Sequence, residues 1–156
     1  MIVGEVLGAG KVVADLQQSA DQAPAVVFRT VQSLGLELLA KVKADKLTGQ
    51  VLKVQTGRLR RSTNEKTVVE GSSITSTVGT NVVYGRFWEL GFSGDVNVRA
   101  HVRKTAKGAQ AMVRAHQRRV NQPARPFLKP ALEEMRARVL QQLTQAAKAV
   151  ASGPQP

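Results

Sequence analysis

The sequence predicts an α+β fold in which an antiparallel β-sheet, with a long basic β-hairpin, packs against an N-terminal and a C-terminal amphipathic helix. Apolar residues recur every three or four positions in residues 24–46 and again in residues 128–146, as they do along one face of a helix. Between these segments, residues 67–80 are rich in Val, Ile, Thr and Ser, which is the composition of strands. Within residues 96–121, two copies of a heptad then alternate apolar and basic side chains with the period of two that strands require.

The composition describes one folded, basic domain. The chain has 156 residues, which is enough to bury a hydrophobic core. We expect a single domain over residues 1–150 and a disordered tail over residues 151–156. A net charge of +12 alongside 42% hydrophobic residues is typical of a basic globular protein rather than a disordered chain. Such a charge favours a polyanionic partner, either a nucleic acid or an acidic protein surface.

The lack of cysteine and of long apolar runs excludes several classes of protein. The chain contains no cysteine, which excludes a disulfide scaffold and a thiolate metal site. No apolar run approaches the roughly 20 residues of a membrane helix, so we expect no membrane partner. The N-terminus carries Glu5 where a signal peptide has a base, and no long apolar stretch follows. The sequence therefore predicts a soluble protein that is made inside the cell.

The first predicted helix covers residues 24–46. Its apolar side chains share one face: Val27, Val31, Leu34, Leu38 and Val42. Residues 21–24 provide an acidic, proline-bearing start, and Thr48 with Gly49 provides the end. A separate, shorter helix is predicted over residues 11–18.

A β-hairpin is predicted next, over residues 67–80, with Gly71 and Ser72 at its turn. The segment after it holds three of the chain's six aromatic residues: Tyr84, Phe87 and Trp88. Their spacing suits a short helix or a tight loop that ends before Gly91.

The last predicted element is a C-terminal amphipathic helix. Its apolar positions again fall three and four residues apart: Leu128, Leu132, Met135, Val139, Leu143 and Ala146. Pro126 and Pro130 suit its beginning, since proline is tolerated in the first turn. Glu133 and Glu134 lie in its first turns, where the helix dipole favours acids.

A repeated heptad stands between these helices, VRAHVRK at residues 98–104 and VRAHQRR at residues 113–119. Around it, residues 96–132 contain nine Lys or Arg and no Asp or Glu. Both copies alternate apolar and basic residues, so they predict a hairpin arm over about 96–121. A type II′ turn centred on Gly108 and Ala109 would join its two strands.

The predicted register sets like charges opposite each other: Arg103 with Arg114, His101 with His116, and Arg99 with Arg118. All basic side chains would then line one face of the arm and the small apolar ones the other. Like charges directly opposite cost a few tenths of a kcal/mol per pair, so such an arm predicts anions nearby. The candidate assembly and anion-contacting residues are Arg99, Arg103, Lys104, Lys107, Arg114, Arg118 and Arg119. The alternative is a mobile, solvated loop.

A second basic run, Arg58, Arg60 and Arg61, flanks Leu59. It is either a solvated strand edge or a second anion-contacting patch. Tyr84, Phe87 and Trp88 would stack on bases in a single-strand binder. Because they alternate with apolar residues, a core role is favoured.

The two histidines predict neither a metal site nor a catalytic base. His101 and His116 would need two further ligands to hold zinc, but the chain has no cysteine and no acid between Asp95 and Glu133. The same lack of a nearby acid leaves neither histidine oriented for proton transfer. The sequence therefore predicts no enzyme, no metal and no cofactor.

Two further patterns in the sequence are weak candidates for a functional site. Residues 4–11 superficially resemble a phosphate-binding loop, but their glycine spacing is one residue too long. Val12 stands where a Ser or Thr would bind magnesium. Glu89 is expected to form an ion pair with Arg86 or with the basic arm.

Three stretches in order resemble a known family. They read TG-LR-S within residues 47–62, VGT-N-Y-E-G within residues 78–91, and ARPFL-PAL over residues 124–132. This order is similar to that of the tail-completion, or neck, proteins of long-tailed double-stranded DNA phages and prophages. The motif positions that carry the resemblance are Gly57, Gly79, Tyr84, Trp88, Gly91, Pro126 and Phe127.

The resemblance implies a structural virion protein with a fold like that of tail terminators. Such proteins form a homo-oligomeric, usually hexameric, ring between the head-closure proteins and the tail terminator. Genomic double-stranded DNA passes through the lumen. The protein would be made in the bacterial host cytoplasm and end in the virion neck. The family has no catalytic residues, so none are implied here.

The motif residues also have expected structural roles. Thr56 and Gly57 would form a turn into a strand or a short helix. Gly79 and Gly91 would let the chain bend on either side of the aromatic segment. Phe127 would be buried where the last helix begins. The competing interpretation of the whole chain is a DNA-binding protein whose basic β-arm follows phosphates.

Overall fold

The computed structural model describes residues 9–52, 56–106 and 108–152. The elements follow in the order α1 (Ala9–Lys41), α2 (Arg58–Ser62), β1 (Thr63–Glu70), β2 (Ser73–Thr80), α3 (Val83–Leu90), β3 (Phe92–Val98), β4 (His101–Lys104), β5 (Gln110–Val113), β6 (His116–Gln122) and α4 (Lys129–Ala151). A π-helical turn, Val42–Lys46, extends α1. Helices at both ends flank antiparallel strand pairs, so the predicted α+β class is confirmed.

The first helix is longer than predicted. α1 runs without a break from Ala9 to Lys41 and contains Pro24, so the prediction of separate helices over residues 11–18 and 24–46 is wrong. Proline lacks an N–H and usually ends or kinks a helix. The helix nevertheless continues past this exposed proline, and α1 packs against α4 and against the β1–β2 hairpin.

The π-helical turn brings two core residues to the same side of the chain. The amide of Leu47 donates to the carbonyl of Val42 at 3.2 Å, which closes the wide turn. Residues five apart in an ordinary α-helix point about 140° away from each other. The wider turn aligns them instead, so that Val42 is 0% and Leu47 only 3% exposed.

The core lies where the end of α1 meets the start of α4. Its buried side chains are Val42, Leu47, Leu52, Phe127 and Ala131. Leu59, Trp88 and Leu128 pack around them. Phe127 is fully buried, as predicted, and burial of such a side chain contributes about 1.5–3 kcal/mol.

Ion pairs join α1 and its π-helical turn to α4 on the solvent side. Arg138 donates to both carboxylate oxygens of Glu37, at 2.7 and 3.0 Å. The carboxylate of Glu134 lies 2.6 Å from Lys46 Nζ and 2.9 Å from Lys41 Nζ. The Lys46 and Lys41 ammonium groups lower the pKa of Glu134 to about 2. The hydrogen bond from Arg138 likewise lowers the pKa of Glu37.

The β1–β2 hairpin forms as predicted, although β1 begins at Thr63, four residues earlier than expected. Glu70 lies opposite Ser73, which leaves Gly71 and Ser72 as a two-residue loop. Gly71 has a φ of +59°, and no described residue other than glycine has a positive φ. This combination is a type II′ turn, which requires glycine at its first central position.

The hairpin packs against α1 at Gly35. A Cβ atom there would lie 1.9 Å from Ser76 Oγ and 3.0 Å from Glu65 Cγ. Ser76 Oγ also donates to Glu65 Oε1 at 2.8 Å, which holds both side chains in place. Only glycine therefore allows the helix and the hairpin to approach this closely.

Strands β3 to β6 form one long ribbon, which we name the ribbon arm (residues 92–122). β3 pairs with β6 and β4 pairs with β5, with no third strand on either ladder among the described residues. Phe92 lies opposite Gln122 at the base, and Lys104 lies opposite Gln110 near the tip. The predicted hairpin is confirmed, with a base that begins four residues earlier.

The turn of the ribbon arm differs from the prediction. Gly108 N donates to Thr105 O at 2.9 Å, and Thr105 N donates to Ala109 O at 2.8 Å. Gly108 has a φ of +82°, the left-handed position of a three-residue loop. The prediction of a type II′ turn centred on Gly108 and Ala109 is therefore wrong, and every strand pair is displaced by three residues.

This displacement separates the cations. The described pairs set His101 against Val113, Arg103 against Ala111, Val96 against Arg118 and Asp95 against Arg119. Each face of the β4–β5 ladder thus mixes polar or basic side chains with apolar ones, and the prediction of one wholly basic face is wrong. The physical reason is that opposed like charges destabilise a hairpin, and the observed register avoids them.

The C-terminal helix forms as predicted, but Leu132, which the periodicity placed on its apolar face, is 53% exposed. α4 begins at Lys129 with Pro130 in its first turn. It ends at Ala151, after which the amide of Ser152 donates to the carbonyl of Lys148 at 2.9 Å. The rest of the predicted tail, residues 153–156, lies outside the described residues.

We predict that stability falls in acid because of Glu134. Folding lowers its pKa to about 2, so the unfolded chain takes up the proton first. The stabilisation is complete above the unfolded pKa of about 4.3 and is lost as the pH falls toward about 2. Urea midpoints measured across this range should decline less in Glu134→Gln than in wild type. Glu133→Gln, the neighbouring position with no ion pair among the described residues, should keep the wild-type profile.

We also predict that Gly35→Leu destabilises the protein by roughly 1–3 kcal/mol, the cost of overpacking a tight contact. The added side chain would collide with Ser76 and Glu65 and push the hairpin away from α1. Ala40→Leu, at an exposed position of the same helix, is the control and should leave the urea midpoint near wild type. Equal stability of the two variants would contradict the close approach.

Candidate assembly surfaces

The predicted basic residues fall on two separate surfaces. Those of the heptad repeat lie on the ribbon arm, whereas Arg58, Arg60 and Arg61 lie on α2 beside a cleft in the body of the protein. The cleft also brings in Tyr84 and Trp88, two of the predicted motif residues. One candidate of the arm, Lys107, lies outside the described residues.

The ribbon arm exposes both of its faces. Its described Lys and Arg side chains are all exposed: Arg99, Arg103, Lys104, Arg114, Arg118 and Arg119. Three large apolar residues of the arm are exposed as well, Val96 by 39%, Val102 by 55% and Met112 by 71%, and the last two lie directly opposite each other. The ladders of the arm have no substantial packing against any other described element. Such a two-stranded ribbon is only marginally stable by itself.

The two copies of the repeat interrupt the ladder at the same level. β3 ends at Val98 and β4 resumes at His101, while β5 ends at Val113 and β6 resumes at His116. Both histidines make the same local contact. His101 Nδ1 lies 2.9 Å from the carbonyl of Arg99, and His116 Nδ1 lies 2.8 Å from that of Arg114. As hydrogen bonds these contacts place the proton on Nδ1.

The short helix α2 presents the second basic run. Gly57, with a φ of +66°, precedes α2, and its carbonyl accepts from Arg61 N at 3.0 Å. The prediction that Gly57 forms a turn into a short helix is thus confirmed. Arg60 Nε reaches back to the carbonyl of Lys43 at 3.1 Å. The run is therefore helical, and the alternative of a solvated strand edge is wrong.

A cleft of about 730 Å³ lies between α2, α3 and the segment before α4. Leu47, Leu52 and Leu59 supply apolar lining. Arginine side chains line it as well: Arg58, Arg60, Arg61 and Arg125. The guanidinium of Arg125 lies 6.0 Å from the centroid of the Trp88 ring, within the range of a cation–π contact. We name this feature the cationic cleft.

Glu89 holds the cleft together by capping α4. Its carboxylate accepts three backbone N–H groups, from Phe127 at 2.8 Å, Leu128 at 3.0 Å and Lys129 at 2.9 Å. These are among the amides that the start of a helix leaves without an internal partner. A carboxylate satisfies them and is favoured by the helix dipole. The predicted ion pair of Glu89 with Arg86 or the basic arm is therefore wrong.

Adjacent backbone contacts fix the same junction. The amide of Arg125 donates to the carbonyl of Trp88 at 2.7 Å, which places the Arg125 side chain over the ring. Gly91 has a φ of +76°, and a Cβ there would lie 3.0 Å from the amide of Ala124. The predicted bend at Gly91 is confirmed. Gly79 instead lies inside β2 with no positive φ, so the predicted bend there is wrong.

The aromatic motif residues divide between core and surface. Trp88 is half-buried and packs against the core, as the core interpretation predicts. Tyr84 is 38% exposed and lines the cleft, so it is partly accessible. Pro126 is exposed and stands beside the buried Phe127 at the start of α4.

The described part of the chain shows neither a candidate metal site nor a membrane-spanning helix. Residues 9–52, 56–106 and 108–152 contain no group of three or more His, Cys, Asp or Glu able to hold a metal ion. Of the loop-like segment 4–11, residues 4–8 lie outside the described residues. No described helix combines the length and the apolar character needed to cross a membrane.

Comparisons with protein-family models, with curated proteins and with solved structures find no match to this chain. The function has therefore to be inferred from the residues and their geometry. Two residues of the sites, Lys43 and Arg125, had no role predicted from sequence, and the role predicted for Glu89 was an ion pair rather than a helix cap. Arg125 sits within the ARPFL motif, which was the one available signal. The partners of Glu89 lie about 40 residues away, beyond the reach of any local pattern.

We predict that Glu89→Gln destabilises the protein by about 1–2 kcal/mol, the cost of weakening a helix cap. Glutamine keeps one acceptor oxygen but replaces the other with an NH₂ group, which cannot accept the remaining amides. Urea unfolding measures the loss, and faster hydrogen exchange at Phe127 to Lys129 locates it. Glu70→Gln, an exposed carboxylate at the end of β1, is the control and should change neither quantity.

Proposed function

We propose that the protein is a structural subunit that assembles through its ribbon arm into a ring in the neck of a phage virion. The observation that carries the proposal is the arm itself, a basic two-stranded ribbon exposed on both faces. Each side of the ribbon, which consists of two successive strands, spans 13 residues from base to tip, or roughly 40 Å. An element of this reach, with little packing against its own body, is suited to contact a neighbouring subunit.

The chemistry of the arm favours a protein neighbour. Val102 and Met112 place two exposed apolar side chains together, flanked on the same ladder by Arg103 and Lys104. Apolar centres with a charged surround are typical of protein interfaces. The six exposed Lys and Arg side chains described on the arm also favour acidic groups on the neighbour. Shape and charge complementarity would close the ring without any catalytic residue.

The neck assignment rests on the ordered motifs of the sequence. Gly57, Gly91 and Phe127 have the structural roles expected of them from the sequence, whereas Gly79 does not. The neighbours would then be other copies of the chain, the head-closure proteins and the tail terminator. Genomic DNA would pass through the ring, and the protein would be made in the host cytoplasm before it enters the virion.

A DNA-binding protein is the second candidate. The exposure of six described Lys and Arg side chains on the arm favours it. The observed register weighs against it, because apolar side chains alternate with cations on the arm and leave no continuous basic face. A ribbon that follows phosphates would gain most from such a face.

We expect Val102→Ser with Met112→Ser to abolish ring assembly while leaving the monomer folded. Both side chains are exposed, so the free energy of unfolding should change by less than about 0.5 kcal/mol each. Sedimentation velocity measures assembly, and electron microscopy of particles made with the variant subunit should show unjoined heads and tails. Val69→Ser is the matched control, because Val69 is a hairpin residue exposed by 54%.

Binding to duplex DNA separates the two candidates. The DNA-binding candidate predicts a slope of log affinity on log salt that approaches roughly −5 if all six described arm cations contact phosphates. The structural candidate predicts negligible affinity at physiological salt and recovery of the protein with virions. Joined particles made with the double serine variant would contradict the proposed role of the arm.

A further inference from the structure

We propose that the cationic cleft is a docking site for an acidic peptide segment of a partner protein that also carries an apolar side chain. This inference goes beyond ring assembly, because the cleft belongs to the body of the protein and shares no residue with the ribbon arm. It holds or fails independently of the neck assignment.

The charge of the cleft selects an anionic ligand. Arg58, Arg60, Arg61 and Arg125 line it, and Lys43 lines the adjoining pocket of about 500 Å³. Among the described residues that line either space, none is acidic. Guanidinium groups bind carboxylates through paired hydrogen bonds, so several arginines around one cleft suit a peptide with several acids.

The apolar lining favours a ligand that carries an apolar group in addition to its negative charges. Leu47, Leu52 and Leu59 contribute to the cleft, beside the half-buried ring of Trp88. Leu47 and Leu52 are already buried in the core, but a free inorganic anion would leave the half-buried Leu59 and Trp88 without ligand contacts. An apolar side chain between acidic residues would cover them, and the volume of about 730 Å³ falls within the usual range of ligand sites.

A protein segment fits this cleft better than a nucleic acid strand does. Single-strand binders need open aromatic faces on which bases stack. Here the guanidinium of Arg125 already lies over the Trp88 ring, at 6.0 Å from its centroid, which leaves Tyr84 as the other aromatic side chain of the described lining.

The acidic segment belongs to another protein rather than to a second copy of this chain. The eleven acids of the sequence are scattered, and Glu133 and Glu134 are the only two that are consecutive. Glu134 is held by Lys46 and Lys41. This chain therefore offers no run of free carboxylates that would match four arginines.

The test uses the full chain and a synthetic peptide of Asp and Glu with one central Leu. Trp88 is the single tryptophan, so its fluorescence reports occupation of the cleft directly. We expect a saturable change that Arg58→Glu with Arg61→Glu shifts to roughly tenfold higher peptide concentration or more. Lys66→Glu with Arg136→Glu removes the same net charge at exposed positions outside the cleft and should bind as wild type does.

A second peptide, with Ser in place of the central Leu, tests the apolar lining without any change to the protein. It should bind several-fold more weakly. The proposal is overturned if neither peptide gives saturable binding, if both double variants lose binding equally, or if the two peptides bind alike. It is also overturned if oligothymidylate binds more tightly than the peptide and loses affinity only in the cleft variant, since the cleft would then be a nucleic-acid site.

Discussion

One carboxylate fixes how the two halves of the chain meet. Glu89 accepts the amides of Phe127, Leu128 and Lys129, and α4 has no local side-chain cap to replace it. The start of α4 carries Phe127 and Ala131 into the core, while the residues just before it bring Arg125 to Trp88. The core and the cationic cleft therefore both depend on the position of this single side chain.

The body and the arm obey different constraints. In the body, apolar burial, a helix cap and the close approach at Gly35 all support the same arrangement of α1, α4 and the first hairpin. In the arm, two successive two-stranded ladders expose most of their side chains. The arm keeps its pairing by a register that avoids opposed cations, and no other described element packs substantially against its ladders.

Local patterns predicted what local physics determines. Apolar periodicity found α4 and the later turns of α1, and Gly71 marked a tight turn correctly. The predictions were wrong where tertiary contacts determine the extent of an element, the register of a hairpin or the partner of a side chain. α1 continues through Pro24, although proline usually ends a helix. The left-handed Gly108 belongs to a turn whose register strand alternation alone does not define. Glu89 accepts hydrogen bonds from residues that are distant in sequence. The sequence did not predict the cleft, because the cleft exists only where the fold places Arg125 beside α2.

The paired interruption of the arm gives it a joint. Two short gaps at one level, each spanned by a histidine bonded to the carbonyl two residues before it, separate a basal ladder from a distal one. Bending at that level would change the direction of the tip without breaking a hydrogen bond of either ladder. The duplicated Arg-Ala-His sequence thus divides one arm into two separately hydrogen-bonded segments.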